Sequence, residues 1–338
     1  MQVPDALVRR CLSPRVLGLI LLPTEQCNFR CTYCYEDFAL GRMSSGVVLG
    51  VKELLSTRAP RLDLLTLGWF GGEPLLALDI VEDVQRHAQR LAREYPGLRV
   101  NSNMTTNAWK LTPTVFGRLL DLGVDEYQIS FDGPPEHHDR RRVRAGGRPS
   151  FDRIWSNVLA MRDRSGPFQV HLRLHVDAEN LEAMFAFVDR CRETFGGDER
   201  FRIFLKPLGR YGGSDDRHVP VLSSDEEWRR YAELQAHAAR SPEQPVPGAA
   251  VAPSPGHGEV CYAAHGNQFV VRSDGRLCKC TIILDDPRNQ VGRLHEDGTV
   301  EISSPAMEPW MRGLWSGRRS ELLCPLQGFP EPAVAASA

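Results

Sequence analysis

The chain has 338 residues, enough for one large domain and a smaller one. Its 42% hydrophobic and 25% charged residues are ordinary for a globular protein, and a net charge of −2 argues against nucleic acid or an anionic membrane as partner. No apolar run reaches the roughly 18 residues of a membrane span, and no basic-then-apolar signal opens the chain. A cytoplasmic location is therefore expected. There, nine cysteines argue for metal or redox chemistry over disulfides. Lysine occurs only at positions 52, 110, 206 and 279, a bias that reads as genomic composition.

In chain order, apolar runs predict strands at 16–22, 64–69, 99–105, 126–130, 169–176 and 202–207. Helical periodicity fills the gaps at 46–57, 79–93, 113–122, 151–162 and 181–195. Thr112 before Pro113, and Ser150 before Phe151, mark helix starts. Six β–α repeats imply parallel strands with right-handed crossovers and working loops at the strand carboxyl ends. Six are too few for an eight-fold barrel. The expected fold is α/β, a partial (β/α)6 TIM-like barrel over residues 1–240. A helix at 225–239 leads into a Pro/Gly-rich linker, 241–258, and then a small β-hairpin/helix domain, 259–338, whose turn is Asp274-Gly275. The residues from about 330 are expected to fray.

The first strand runs directly into EQCNFRCTYCYED, which places Cys27, Cys31 and Cys34 in a CxxxCxxC spacing. Three thiolates on one loop can hold three irons of a [4Fe–4S] cube and leave the fourth without a protein ligand. A structural zinc site wants four closed ligands, usually from paired knuckles, and no second knuckle lies nearby. A partial zinc site or three unrelated thiols are the other readings. Phe29 and Tyr35 flank the triplet as candidate shields.

Further chemistry follows the later strands. Gly71, Gly72, Glu73 and Pro74 follow the second, where glycines allow close backbone approach to a ligand and a carboxylate or carbonyls can accept from an ammonium. Thr105-Thr106-Asn107 ends the third strand and Ser130-Phe131-Asp132-Gly133 the fourth. Asn107, Ser130 and Asp132 suit a ribose or carboxylate, or equally a loop cap. Arg173, if it points into the barrel, can pair with a carboxylate. Arg140, Arg141, Arg142 and Arg144 form a basic run that reads as a solvated surface or a contact for an acidic peptide. His137 and His138 read as loop histidines with ordinary partners. Tyr127, Asp132, Asp139 and Tyr211 are possible proton acceptors with nothing to single one out. In the tail, Cys261, Cys278, Cys280 and Cys324 form a second candidate metal set. Residues 278 and 280 would share a strand face, and Cys11 and Cys191 stand apart.

The triplet with Tyr33, the GGEP turn and the stretch 130–158 resemble the radical S-adenosylmethionine (SAM) superfamily. That stretch is closest to peptide maturases with a C-terminal cluster domain. The spacing Cys261-x13-Gly275-x4-Cys280 resembles the opening of their SPASM and twitch modules, although the later cysteines of a full SPASM domain are missing and position 278 commonly holds an aromatic. The resemblance implies a [4Fe–4S] cluster on Cys27, Cys31 and Cys34, with SAM chelated to its open iron. It further implies that Gly71–Pro74 bind the SAM amino group, and that the tail holds at most one auxiliary iron–sulfur cluster. Implied too is reductive cleavage of SAM to a 5′-deoxyadenosyl radical that takes hydrogen from a ribosomally made peptide. An intramolecular carbon–carbon side-chain cross-link of the cyclophane type is the favoured outcome. Thioether formation, epimerisation and formylglycine generation are the peptide alternatives. A small-molecule radical dehydrogenase is another enzymatic reading, and a non-catalytic zinc or cluster-bearing scaffold is the reading outside catalysis. Expected partners are a precursor peptide and a one-electron reductant such as ferredoxin or flavodoxin; because only about fifteen residues precede the first strand, leader recognition is expected to be internal, by a separate leader-binding protein, or absent.

Overall fold

The computed structural model describes residues 5–239 and 260–329. The expected linker at 241–258 and the frayed tail lie outside the described residues. The strands, in chain order, are β1 (Val16–Leu21), β2 (Phe29–Cys31), β3 (Leu64–Trp69), β4 (Arg99–Thr106), β5 (Glu126–Phe131), β6 (Arg142–Arg144), β7 (Gln169–Val176), β8 (Phe201–Pro207), β9 (Gln268–Val271), β10 (Arg276–Cys278), β11 (Gln290–Leu294) and β12 (Val300–Ile302). β1, β3, β4, β5, β7 and β8 pair in parallel in that order, which is the expected six-stranded partial barrel. Between them lie helices Ser45–Arg58, Leu78–Glu94, Pro113–Asp121, Phe151–Met161 and Leu181–Phe195. Among the described residues no helix is long and apolar enough to cross a membrane.

Alternation along each strand separates a dry face from a polar one. Leu17, Leu19, Leu67, Met104, Ile129, Phe131, Leu172 and Leu174 are buried against the helices. Phe131 there meets Phe151 and Trp155, with ring centroids 5.7 and 5.6 Å away. The other face lines the lumen. Its register sets Asn103 beside Glu126, Thr105 beside Gln128, Gln128 beside His171 and Ser130 beside Arg173. Gln128 donates to Thr105 Oγ1 at 3.4 Å, and His171 lies 3.0 Å from Glu126 Oε1. The sheet thus presents a row of hydrogen-bonding side chains on one face and an apolar wall on the other.

Helix starts follow local chemistry. Thr112 and Ser44 accept from Val115 N and Val47 N. Ser150 makes no such cap; Asp139 Oδ1 accepts instead from Ser150 N (2.7 Å) and Phe151 N (2.9 Å). Asp139 is thus a cap that the sequence assigned to Ser150.

The tail extends the barrel sheet. β9 pairs in parallel with β1, and β10, β11 and β12 continue outward, so a single ten-stranded sheet runs through both halves. The joint is ionic as well as hydrogen-bonded. Glu25, two residues before the first triplet cysteine, accepts from Arg272 Nη2 at 2.5 Å and from Ser273 N and Oγ at 3.1 Å. Both members of the pair are almost wholly buried. Arg272 Nη1 also donates to Leu284 O at 2.8 Å.

Removing one partner of a buried pair strands the other's charge, at about 3–5 kcal/mol. Arg272→Met should therefore lower the stability measured by chemical denaturation by about that amount. Adding Glu25→Gln should recover most of the loss, and an equal loss in the double variant would contradict the account.

Candidate active site

The cysteine loop rises from the carboxyl end of β1, crosses the lumen mouth and is held from four sides. First, β2 pairs with β6, aligning Cys31 with Arg142 and Phe29 with Arg144. Second, the glycine turn after β3 packs beneath it. Gly71 has φ +109°, and a Cβ there would collide with Thr24 O; one at Gly72 would stand 2.5 Å from Gln26 O. Only glycine fits either place. Third, Asn107 Nδ2 donates to Asn28 Oδ1 at 2.8 Å and lies 3.9 Å from Cys27 Sγ. Fourth, the loop after β8 covers it so closely that a Cβ at Gly213 would collide with Cys34 O. Phe29 is buried beside Trp109 (centroids 6.3 Å), and Tyr35 packs edge-on against Tyr211 at 6.0 Å.

All three thiols are half-buried. Burial pushes their pKa values up, to about 12 for Cys31 and further for Cys27, with neighbouring acidic groups adding to the rise at Cys27. Thiolates so disfavoured need a cation, and metal supplies it. Among the described residues no three such side chains converge as ligands of a single ion do. A cube places each thiolate on its own iron and spreads them wider, so a loop CxxxCxxC fits a cluster better than a lone zinc.

The remaining candidates fall into two groups. Glu73 and Asn107 are engaged by the chain itself. Glu73, fully buried, accepts from Leu75 N (3.0 Å), Thr106 Oγ1 (2.8 Å) and Asn107 N (2.7 Å). Asn107 Oδ1 accepts from Trp109 N at 3.0 Å. Their place is to rigidify the glycine turn. Arg173, Ser130 and Asp132 are the second group. Arg173 does point into the barrel, amid Tyr33, Tyr35, Tyr211 and Arg142; its buried Nε has no partner, and burial pushes its pKa down. Asp132 Oδ2 is likewise buried without a partner, and Ser130 is buried beside Arg173. An unpaired guanidinium, an unpaired carboxylate oxygen and a glycine cradle are what an amino-acid carboxylate, a ribose hydroxyl and an ammonium require.

Several residues that the sequence read differently, and His175, which it missed, complete the site. Arg141 and Arg142, read as surface or peptide contact, are buried. Arg141 pairs with Asp177 (2.9 Å) and Glu179 (2.8 Å), and Arg142 Nη1 donates to Tyr33 OH at 2.9 Å. Tyr33 OH in turn donates to Asp132 Oδ1 at 3.0 Å and lies 3.0 Å from His175 Nδ1. His138 is fully buried between Asp132 N (3.4 Å) and Ser150 Oγ (3.1 Å). Burial raises the cost of charging Asp132, but His175 and the cations around it outweigh that and hold its pKa down at about 2. Of the proton-acceptor candidates, Tyr127 is on the dry face, donating to Val124 O at 2.8 Å, and Asp139 caps a helix; Tyr211 stays at the lumen mouth.

In the tail, Cys261, Cys280 and Cys324 lie near one another: burial carries the Cys261 pKa to about 11 with Cys280 and Cys324 adding to the rise, and Cys280 is raised by burial with Cys324 adding. Cys261 is pinned by its N–H to Leu322 O (2.7 Å) and Cys280 by its N–H to Asn289 Oδ1 (2.9 Å). Cys278 sits apart. β10 ends at Cys278, where it packs with Leu22, Val270 and Leu284, and the alternation that would align it with Cys280 stops there.

Two expectations follow. Gly72→Ala should roughly halve the iron bound per chain, or worse, while circular dichroism stays unchanged; full iron loading would show that the loop tolerates the methyl group. Burial holds His138 and His175 down at about 4. Unfolding therefore takes up protons between about pH 6.5 and 4, and stability falls as pH drops through that window, by on the order of 3 kcal/mol per histidine. His138→Gln should flatten that slope in a pH series of denaturation curves; an unchanged slope would contradict the assignment.

Comparison with known proteins agrees with this geometry. The structure of native anSMEcpe with bound AdoMet and the Kp18Cys peptide aligns with a TM-score of 0.63 at 18% identity, over 87% of this chain and 80% of that one. Streptococcus suis SuiB aligns with a TM-score of 0.59 at 14% identity, over 91% and 70%. At such identities the likeness is one of fold. The PqqA peptide cyclase of Xanthomonas axonopodis pv. citri is 28% identical over 177 residues, 52% of this chain and 45% of that protein. The GTP 3′,8-cyclase of Paenarthrobacter nicotinovorans is 30% identical over 149 residues, 43% and 39%. The matched stretches span less than half the length of these relatives. The model of the Radical SAM superfamily matches residues 21–190, just over half of the sequence. That family's cofactors are a [4Fe–4S] cluster and SAM, and the loop, the glycine cradle and the unpaired lumen cation fit both. The chain belongs to the radical SAM superfamily.

Proposed function

We propose that the protein is a radical SAM enzyme that modifies a ribosomally made peptide by an intramolecular carbon–carbon side-chain cross-link. The observation that carries the chemistry is the convergence of three desolvated thiols with Arg173, whose buried Nε has no partner, at one lumen mouth. When bound, the cluster and SAM together supply a 5′-deoxyadenosyl radical that takes a hydrogen atom from substrate. The chain's own residues do the rest. Cys27, Cys31 and Cys34 hold the metal, Gly71 and Gly72 present backbone carbonyls to the SAM ammonium, and Arg173 meets its carboxylate. Ser130 and the free oxygen of Asp132 are placed for the ribose. Tyr33 and Arg142 fix Asp132, and Phe29 and Tyr35 keep water from the loop.

A peptide substrate is supported by the relatives. A PqqA peptide cyclase shares sequence over half of this chain, and SuiB, of the same fold, was solved with its precursor peptide SuiA. The region after residue 259 is proposed as an auxiliary-cluster unit, with Cys261, Cys280 and Cys324 as its ligands. It would lie beyond Tyr262, whose hydroxyl reaches Cys280 and sits 3.0 Å from Thr281 Oγ1. A reductant of the ferredoxin or flavodoxin class, a separate leader-binding protein and a cytoplasmic setting complete the reading. Thioether-, epimer- and formylglycine-forming activities are its neighbours on the same site.

Co-expression with a candidate precursor peptide, read by mass spectrometry, should show a loss of two hydrogens. In the purified protein under dithionite, Cys31→Ala should abolish deoxyadenosine release while the fold survives. Cys280→Ala should spare that release and damage the peptide product. Retained release in the first variant would contradict the cluster assignment; full product yield in the second would remove the auxiliary unit from the mechanism.

A further inference from the structure

Lys206 carries an amine that the fold leaves without a counter-charge. Of the chain's four lysines, Lys52 pairs with Asp83 at 3.0 Å, Lys279 donates to the carbonyls of His265 and Gln268 at 2.6 Å, and Lys110 is exposed. Lys206 is half-buried, and among the described residues its Nζ has no hydrogen-bond or ion-pair partner. It is the penultimate residue of β8, at the carboxyl end, where a parallel barrel places its chemistry. In the register of β8 with β7, Lys206 is aligned with His175 and Phe204 with Arg173, and aligned residues of neighbouring strands share a face. The amine therefore stands on the lumen wall with Arg173 and His175. Burial lowers its pKa and the Arg173 charge adds to the fall, with no carboxylate opposing either. The acids of the same wall are engaged elsewhere: Asp132 Oδ1 by Tyr33 and His175, and Glu126 by His171. β8 is also the terminal strand of the sheet, so no further strand brings a counter-charge.

We infer that Lys206 binds a carboxylate of the substrate, and so selects a peptide that presents an acidic side chain or its own carboxyl terminus beside the reacting residue; this rests on the function proposed above. Charge balance carries the argument. SAM brings a single carboxylate, which Arg173 meets, and with its ammonium and sulfonium it is positive overall, so its binding leaves the Lys206 amine unbalanced. A partly desolvated ammonium is costly until an anion or other acceptor meets it. The substrate is the remaining component that enters the lumen. A polyphosphate fits less well, because it calls for several cations or a nest of backbone amides. One compact ammonium on a flexible stem suits one carboxylate. No bond forms or breaks at Lys206; its part is to orient the peptide and to reject neutral analogues, which would leave the amine unpaired.

The test uses tripeptide probes on the anaerobically reconstituted, SAM-loaded protein: acetyl-Gly-Glu-Gly-amide, acetyl-Gly-Gln-Gly-amide, and acetyl-Gly-Gln-Gly with a free carboxyl terminus. Acetylation of each lysine by an N-hydroxysuccinimide ester is followed by mass spectrometry, with exposed Lys110 as internal control. The glutamyl probe should slow acetylation of Lys206 and leave that of Lys110 unchanged, and the fully amidated glutamine probe should slow neither. Protection by the free-terminus probe alone would support the proposal with the chain end as the source of the carboxylate. In calorimetry, Lys206→Met should weaken the affinity for the protecting probe about tenfold, and Lys206→Arg should keep it. Protection by none of the probes, equal protection by the neutral one, full protection by SAM alone, or protection by GTP in their place overturns the assignment. Should Lys206→Met fail to fold, the acetylation pattern of the unaltered protein decides. Absence of deoxyadenosine release from the unaltered protein under dithionite would instead overturn the function on which the proposal rests, so the two failures are distinguishable.

Discussion

Desolvation of three thiols on one short loop is the constraint around which the molecule is arranged. A segment with only three residues of regular strand cannot hold such groups in a fixed array by itself. The fold supplies the array from outside, with a glycine turn below, an asparagine at one side, an antiparallel ribbon at the other and a tyrosine-bearing loop above. Each support comes from a different strand end, which is where a parallel barrel places its chemistry. The glycines matter because the loop and the turn share a space that leaves no room for a side chain.

The same reasoning extends to the tail. Glu25 is planted just ahead of the first thiol, and among the described residues its carboxylate accepts only from Arg272 and Ser273 of the β9–β10 hairpin. A charge this well buried costs several kcal/mol to desolvate and is tolerated only when fully bonded. The pair therefore registers the second cysteine set against the first more specifically than apolar packing could. Continuation of the barrel sheet through β9 does the same with backbone hydrogen bonds. The two halves are one sheet that carries both cysteine sets.

Much of this was legible in the sequence because it is local. Apolar alternation placed all six barrel strands within a residue or so, and the helix Leu181–Phe195 to the residue. CxxxCxxC and GGEP announced themselves, since each is contiguous in the sequence. What the sequence withheld depends on pairing across long separations. Nothing in RRRVR distinguishes Arg142, buried beside Tyr33, from Arg140, which faces water; the difference is made by β6 pairing with β2 across more than a hundred residues. His175 was hidden inside a strand pattern, and Glu25 among ordinary loop residues. Cys278 looked equivalent to Cys280 because alternation was assumed to continue, whereas β10 stops at 278. Asp132 was read correctly as a strand-end polar residue, but its free oxygen emerges only when His175 and Tyr33 have taken the other one.

The central claim concerns the coordination of one iron. Electron paramagnetic resonance of the reduced, anaerobically reconstituted protein, recorded with and without SAM carrying isotopic labels at its amino nitrogen and carboxylate oxygen, addresses it most directly. A changed cluster signal with hyperfine coupling to both labels is the expected result. A signal indifferent to SAM, or one showing a fourth protein donor at the cluster, would contradict the account.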